Sequence, residues 1–314
     1  MLILSHLASH HRVLAALSLL AAFLWFPNIA QANELLTLDP AFQEVVLEEN
    51  QARVQSVVTY KNDSESVREI ELFARDFTQA DALGGVAFIT DSNIYPHSLA
   101  SFLQLDKNRL VLQPGETQQV LVTVENRASL SPGGHYAAVV ARVVVDAKPE
   151  MEQPILPALS SLFLVRKVGG ERYHLSLVST DWQPRTVATK LPSQIELMLR
   201  NDGNVHDIPR GTLTATGLGG RTILQGTVNE ESLYVLPGTH RKIDINLRST
   251  VQALPIDFVT VTLQGTGQYS AITFTWQESV ILIAWYVPVI LVIVSAISLV
   301  WYFKIRKKQH AKNS

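Results

Sequence analysis

From Asn33 to Trp276 the chain is a succession of short apolar alternations broken by Asn, Asp, Gly and Pro, and no stretch sustains a helical period. In the segment Gln51 to Tyr60, Ala52, Val54, Ser56, Val58 and Tyr60 alternate with Arg53, Gln55, Val57 and Thr59, then the pattern stops at Lys61-Asn62-Asp63-Ser64. A period of two predicts a strand with one covered face, and the Asn-Asp break predicts a turn, because both residues accept left-handed backbone and bond their own main chain. Arg68 to Phe77 reads as the next strand, with Ile70, Leu72 and Ala74 on one face. Asp81 to Pro96, with Gly84-Gly85, reads as loop. Pro114-Gly115 suits a tight turn before Val120, Val122 and Val124, and Pro132-Gly133-Gly134 another before the long apolar strand Tyr136 to Val145. Ala147 to Ser160, with Pro149, Pro154 and Pro157, reads as an exposed loop, Leu162 to Lys167 as a closing strand, and Gly169-Gly170 as a boundary.

The second half repeats the order of the first. Asn62-Asp63 after a strand is echoed by Asn201-Asp202 after Ile195, Leu197 and Leu199; Leu83-Gly84-Gly85 by Leu218-Gly219-Gly220; and Leu112-Gln113-Pro114-Gly115 by Leu236-Pro237-Gly238 before Ile243, Ile245 and Leu247. Val259, Val261 and Leu263 make a further strand, and Ile272, Phe274 and Trp276 the last. The predicted fold is all-β: two tandem immunoglobulin-like β-sandwich domains, residues 33–168 and 169–277, related by duplication.

Val280 to Phe303 then runs without a charge, flanked by Trp285 and Tyr286 on one side and Trp301 and Tyr302 on the other. Such a run is too long for a core strand and predicts a single C-terminal transmembrane α-helix, with Pro288 tolerated inside it. Lys304, Arg306, Lys307, Lys308 and Lys312 follow it, so residues 304–314 form a basic tail expected to stay in the cytoplasm. At the other end, Arg12, the apolar stretch Val13 to Trp25 and Ala30-Gln31-Ala32 predict a signal peptide over residues 1–32, with an uncleaved second anchor built on Leu14 to Phe26 as the alternative. The expected location is the plasma membrane, single-pass, with the sandwiches outside.

All 28 Asp and Glu residues lie between Asn33 and Ser279, which makes the displayed part mildly acidic and argues against nucleic acid as a partner. There are 0 cysteines, so disulfides and thiol chemistry are excluded and each domain must be held by its core. His97, His135, His174, His206 and His240 show no metal-ligand spacing, and no G-x-S-x-G elbow, phosphate loop or S-x-x-K pattern occurs. Glu48-Glu49 and Asp81 read as solvated charges at strand ends and loops. No catalytic, cofactor-binding or metal-ligating residue is assigned, and neither a cofactor nor a small-molecule substrate is expected. Candidate binding surfaces are the Asp81–Pro96 stretch and the proline-rich loop with Met151, Ile155 and Leu159.

The strand ending in Asn62, the Leu112-Gln113-Pro114-Gly115-Glu116 turn, the Pro132-Gly133-Gly134-His135-Tyr136 turn and strand, and Leu162 to Lys167 leading across Gly169-Gly170 resemble the WxL-interacting proteins of Gram-positive cell surfaces. The resemblance implies a first domain that engages peptidoglycan and a second that engages a WxL partner protein. Through the same L-x-P-G-E turn, the first domain also resembles the N-terminal domain of periplasmic pilus-assembly chaperones, in which a basic pair holds the C-terminus of the pilus protein being assembled; Arg53 is a candidate for one member. The reading is a non-enzymatic, membrane-anchored protein whose sandwiches bind a cell-wall polymer or an exported or surface protein. The alternative is an anchored chaperone that adds a strand to its client along an open sheet edge.

Overall fold

The computed structural model describes residues 36–144, 158–183 and 186–310. The expected signal peptide, Met151 and Ile155 of the proline-rich loop, and the last residues of the basic tail lie outside them.

The first sandwich contains β1 (Thr37–Asp39), β2 (Phe42–Leu47), β3 (Arg53–Lys61), β4 (Arg68–Asp81), β5 (Gly84–Phe88), β6 (Leu103–Leu105), β7 (Arg109–Leu112), β8 (Thr117–Glu125), β9 (Gly133–Val143) and β10 (Ala158–Lys167). One sheet has the order β1-β3-β8-β6, and the other β2-β10-β9-β4-β5, with β7 also on β4. The second sandwich contains β11 (Leu175–Thr180), β12 (Val187–Ala188), β13 (Gln194–Asn201), β14 (Pro209–Thr216), β15 (Thr222–Val228), β16 (His240–Asn246), β17 (Arg248–Ser249), β18 (Ile256–Gly267) and β19 (Thr273–Ile283). Its sheets run β11-β13-β16 and β12-β19-β18-β14-β15-β17. The cores are what the alternation requires. Val58, Tyr60, Ile70, Leu72, Val120, Val122 and Val124 are buried in the first, and Ile195, Leu197, Leu199, Ile243, Ile245, Val259 and Val261 in the second.

The two sandwiches share one topology. In each, a first strand pairs antiparallel with the second sheet strand (β1 on β3, β11 on β13), and a following strand crosses to pair parallel with the last one (β2 on β10, β12 on β19). The echoed asparagines occupy the same place. Asn62 is buried and its Nδ2 donates to Ser66 O at 2.8 Å and Leu112 O at 3.0 Å, while Asn201 donates to Val205 O at 2.8 Å and Val235 O at 2.9 Å. Each also accepts, through its backbone carbonyl, the N–H of the turn glycine, Gly115 or Gly238, at 2.8 Å. Both glycines have positive φ (76° and 71°), the left-handed region that the Pro-Gly turn needs. One buried amide thus ties the end of the second sheet strand to the turn that launches the strand beside it.

Four expectations differ from the structure. The apolar run does not become helix at Val280: β19 continues to Ile283, with Val280 and Leu282 inside the second core at 2% and 7% exposure. A stretch of four apolar residues satisfies strand and helix patterns alike, and here the core takes every second one. The second sandwich therefore extends past 277, and the helix spans Tyr286–His310, taking in the first part of the expected tail. Lys, Arg and Gln form helix readily, and cations suit its C-terminal end. Pro288 consequently falls in the first turn, where its missing N–H has no intrahelical acceptor to lose. Tyr286–Arg306, 21 residues of mean hydropathy 2.2, is long and apolar enough to cross a membrane. The Asp81–Pro96 stretch is not all loop, because β5 pairs with β4 through the Asp81–Gly84 turn, where Asp81 Oδ1 accepts the N–H groups of Leu83 and Gly84. Leu159 is not an exposed loop residue; it lies on β10, partly buried against the first core.

Replacing Asn62 or Asn201 by Ala removes two side-chain hydrogen bonds to main-chain carbonyls, those of Ser66 and Leu112 or those of Val205 and Val235. Each variant is expected to lose about 1–3 kcal/mol of unfolding free energy in a urea titration. A loss indistinguishable from that of an exposed substitution would contradict the role of the buried amide.

Candidate functional site

The middle of the outer face of the sheet β2-β10-β9-β4-β5 is apolar, as the run from Tyr136 to Ala141 on β9 implies, and the second sandwich covers part of it. Phe77, Tyr136, Ala138, Val140 and Leu164 are buried there together with Leu236, and Phe73, Tyr95, Leu162 and Tyr234 pack around them. This satellite core joins the two sandwiches.

At its centre β2 carries Glu44 into the seam. The carboxylate accepts the hydroxyls of Tyr234 at 3.0 Å and Tyr269 at 2.8 Å on Oε2, and His206 Nε2 lies 3.3 Å from Oε1. His206 is fully buried; its Nδ1 is 3.2 Å from the Tyr136 hydroxyl, which also accepts the His206 backbone N–H at 2.9 Å. Every group is satisfied once if Tyr136 O–H donates to Nδ1 and Nε2–H donates to Glu44, and this assigns the tautomer. Burial alone would push the Glu44 carboxyl up, but the donors from His206, Tyr269 and Tyr234 outweigh it and hold the carboxyl at about 2.

The seam is stitched on both sides of this cluster. Gly134 N–H donates to Asn204 O at 2.8 Å, and a Cβ on Gly134 would collide with the Tyr136 hydroxyl and come within 3.0 Å of Val205 Cα. Asn204 also holds the connecting segment, donating from Nδ2 to Gly170 O at 3.0 Å and accepting Arg172 N–H at 2.6 Å. Glu171 accepts the N–H groups of Gly169 and Gly170 and pairs with Arg166 at 3.2 Å, and the Arg166 guanidinium lies over the Tyr269 ring. The Gly169-Gly170 boundary is therefore a fastened corner. On the other flank, Gln79 Nε2 donates to His240 O at 2.5 Å, Thr239 Oγ1 donates to Gln79 Oε1 at 3.2 Å, and Lys242 N–H donates to Ala82 O at 2.8 Å.

Between the Glu44 cluster and this flank opens a groove of about 350 Å³, lined by Phe42, Phe77, Leu162 and Leu164 from the first sandwich and by Leu233, Tyr234 and Leu236 from the second. Phe42 lies against Tyr234 with ring centroids 4.9 Å apart. Arg241 stands at its rim above Gly84, where any Cβ would strike the guanidinium, and Arg241 Nε finds no hydrogen-bond partner among the described residues.

Of the five histidines named above, His206 stands in the seam and the His240 carbonyl meets Gln79 across it, while the His97 and His135 rings bond within the first sandwich. His206 is in the cluster, His97 Nδ1 sits 2.7 Å from Gly134 O, and the His135 ring nitrogens face the carbonyls of Ser98 and Ser131 at 3.0 and 2.8 Å. Burial pushes His97 and His135 down. His174 and His240 are exposed, and among the described residues no group of three His, Asp or Glu is placed to hold a metal ion. Arg53 is exposed at the start of β3, in the sheet that does not line the groove. Glu44, Tyr136, Tyr234, Tyr269 and Arg241 escaped the sequence reading. The one signal that bore on them was the unbroken apolar strand beginning at Tyr136, which marks a strand covered on both faces.

No family model matches the chain, and no curated protein matches it. Solved structures similar to it include the class 5 fimbriae chaperone CfaA, with a TM-score of 0.38 at 10% sequence identity over 77% of this chain and 98% of that chain. The CsuC–CsuE chaperone-tip adhesion subunit pre-assembly complex from archaic chaperone-usher Csu pili of Acinetobacter baumannii matches with a TM-score of 0.36 at 13% identity over 66% and 88%. The PapD-like domain 7 of human CEP192 matches with a TM-score of 0.32 at 11% identity over 46% and 93%. At TM-scores this low, likeness does not extend to function.

Because the folded chain holds the Glu44 carboxyl at about 2 against an ordinary 4.5, its contribution is complete above the ordinary value and fades as the pH falls toward 2. Thermal unfolding of the wild type is therefore expected to lose stability across that acid window, and Glu44→Gln to show a flatter acid dependence from a lower starting point. Identical acid profiles for the two proteins would contradict the arrangement.

Proposed function

We propose that this chain is a membrane-anchored binding protein of the cell exterior, in which two sandwiches act as one unit and take an apolar segment of an exported or surface protein into the groove between them. The observation that carries this reading is the groove itself: an open, mostly apolar trough at a domain seam, with the under-satisfied Arg241 at its edge. Its apolar lining favours a protein segment over a cell-wall polymer, so a peptidoglycan-binding role has less support from this surface. The C-terminal helix supplies the anchor, and the basic residues Lys304 and Arg306 at its far end favour the cytoplasmic side for that end.

A second reading, strand addition, is favoured by one feature. β2 pairs with β10 along Leu162–Lys167 and so closes that strand's edge, but β2 is itself the edge of its sheet, and Phe42 on it lines the groove. An added strand would therefore run along Phe42–Leu47, with side chains of one parity lying on the trough.

A photoreactive phenylalanine analogue placed at Val86, in the full chain in its native membrane, is expected to trap a discrete exported or surface protein. The yield should fall when Leu233 is changed to Asp. Trapping only lipid or the chain itself, or a yield indifferent to Leu233→Asp, would overturn the groove as the binding site.

A further inference from the structure

The end of the second sandwich from which the helix departs is apolar on its outside as well as its inside. On the outer face of the sheet β12-β19-β18-β14-β15-β17, the two rungs nearest the helix pair Ile256 with Ile283 and Phe258 with Ile281, and Val187 of β12 pairs with Ile281 from the other side. Val187, Ile256 and Phe258 are 54%, 47% and 57% exposed. One rung further up the same face turns polar and stays so: Thr260 with Ser279, Thr262 with Gln277, Gln264 with Thr275. The change occurs within one rung, two residues or about 7 Å along the strands. A solvated sheet face has no reason to sort its residues by height; a face that meets a boundary between two media does.

The loops at this end follow the same rule. Leu218, Val251 and Leu254 are exposed there, and two of them are held in place from behind by the buried Asp257, whose carboxylate accepts Leu218 N–H at 2.8 Å and Leu254 N–H at 3.0 Å and pairs with Arg221 at 2.9 Å. Between the loops and the helix start lies a cleft of about 330 Å³ whose walls include Leu191, Leu254, Leu282 and Tyr286, with Lys190 at its edge. Trp285, 73% exposed, stands where sheet gives way to helix. The main chain is provided for as well. β12 covers the edge of β19 at this height, with Ile281 N–H donating to Thr186 O at 2.8 Å, and Ala284 N–H donates to Pro255 O at 2.8 Å. Paired backbone is the condition for strands to approach an apolar medium.

We propose that the base of the second sandwich is seated in the headgroup layer of the bilayer that the helix crosses, with Val187, Ile256 and Phe258 against the ends of the acyl chains and Leu218, Val251 and Leu254 as loop tips beside them. The occupant is lipid because the apolar band is continuous with the span: Ile283 is followed by Ala284 and Trp285, and the helix begins at Tyr286. The band's height matches the depth of about 5–10 Å to which interfacial segments sink. Lys190 faces the phosphate level. The inference rests on the reading of the helix as a membrane anchor.

The absence of cysteine makes the test direct. Single nitroxide labels are placed at Phe258→Cys, Val251→Cys, Gln277→Cys and, within the span, Ile293→Cys of the full chain, reconstituted in vesicles of phosphatidylcholine and phosphatidylglycerol. Collision rates with oxygen, which concentrates in lipid, and with a water-soluble nickel chelate are then compared. The labels at 258 and 251 are expected to show an oxygen-to-nickel ratio several-fold above that at 277, with 293 higher still. If 293 reports water, the anchor fails and the proposal with it. If 293 reports lipid while both 258 and 251 match 277, the anchor stands and the seating is overturned. Shielding of 258 and 251 from both reagents would overturn it in favour of a protein contact. Agreement between two sites on separate elements guards against a variant that misfolds.

Discussion

The arrangement of this molecule depends on one carboxylate. Glu44 leaves the first sandwich and ends among groups of the second, where two tyrosine hydroxyls and an imidazole nitrogen surround it. A half-buried carboxylate gives up part of its hydration and is held only where its lone pairs find donors, and in this docking the second sandwich supplies three of them. Tyr136 extends the constraint by engaging both the ring and the backbone of His206, so the docking fixes main chain as well as side chains. The apolar contacts of Leu164, Phe77 and Leu236 add area without direction, and the polar cluster selects among the orientations that such area would allow.

Once the sandwiches are docked, the surfaces between and below them acquire a fixed shape. The groove exists only because residues from both sides stand opposite one another, and at Gly84, Gly133 and Gly134 an added Cβ would meet Arg241, Asn204 and Val205 of the second sandwich. At the other end, the last strand passes into the helix across Ala284 and Trp285 alone, with Ala284 tied back to Pro255. Under the proposed anchoring, a unit that neither bends at its seam nor swings on a linker would present its groove at a set height above the bilayer.

Much of the fold was legible because its cause is local. Period-two alternation placed Val58, Tyr60, Val120, Val122 and Val124 inward, and the paired Asn and Pro-Gly signals marked equivalent corners of two copies of one topology. The helix start was not legible, since Val280 to Ile283 are as apolar as a span but are claimed by a core that the local pattern does not announce. The seam was the least legible part. Glu44 meets His206, Tyr234 and Tyr269 across separations of 162, 190 and 225 residues, and at such distances a Glu on a strand looks like any solvated charge. The proline-rich loop attracted attention by composition, whereas the groove is assembled from residues that are individually ordinary.

The most direct test of the docked unit is a distance measurement across its seam. Nitroxide labels at Glu65→Cys in the first sandwich and Gln225→Cys in the second, both exposed positions, would be read by double electron–electron resonance in the full chain at neutral pH. One narrow distance distribution is expected, and it broadens when Glu44→Gln is added. A broad or multiple distribution in the otherwise unmodified protein would contradict it.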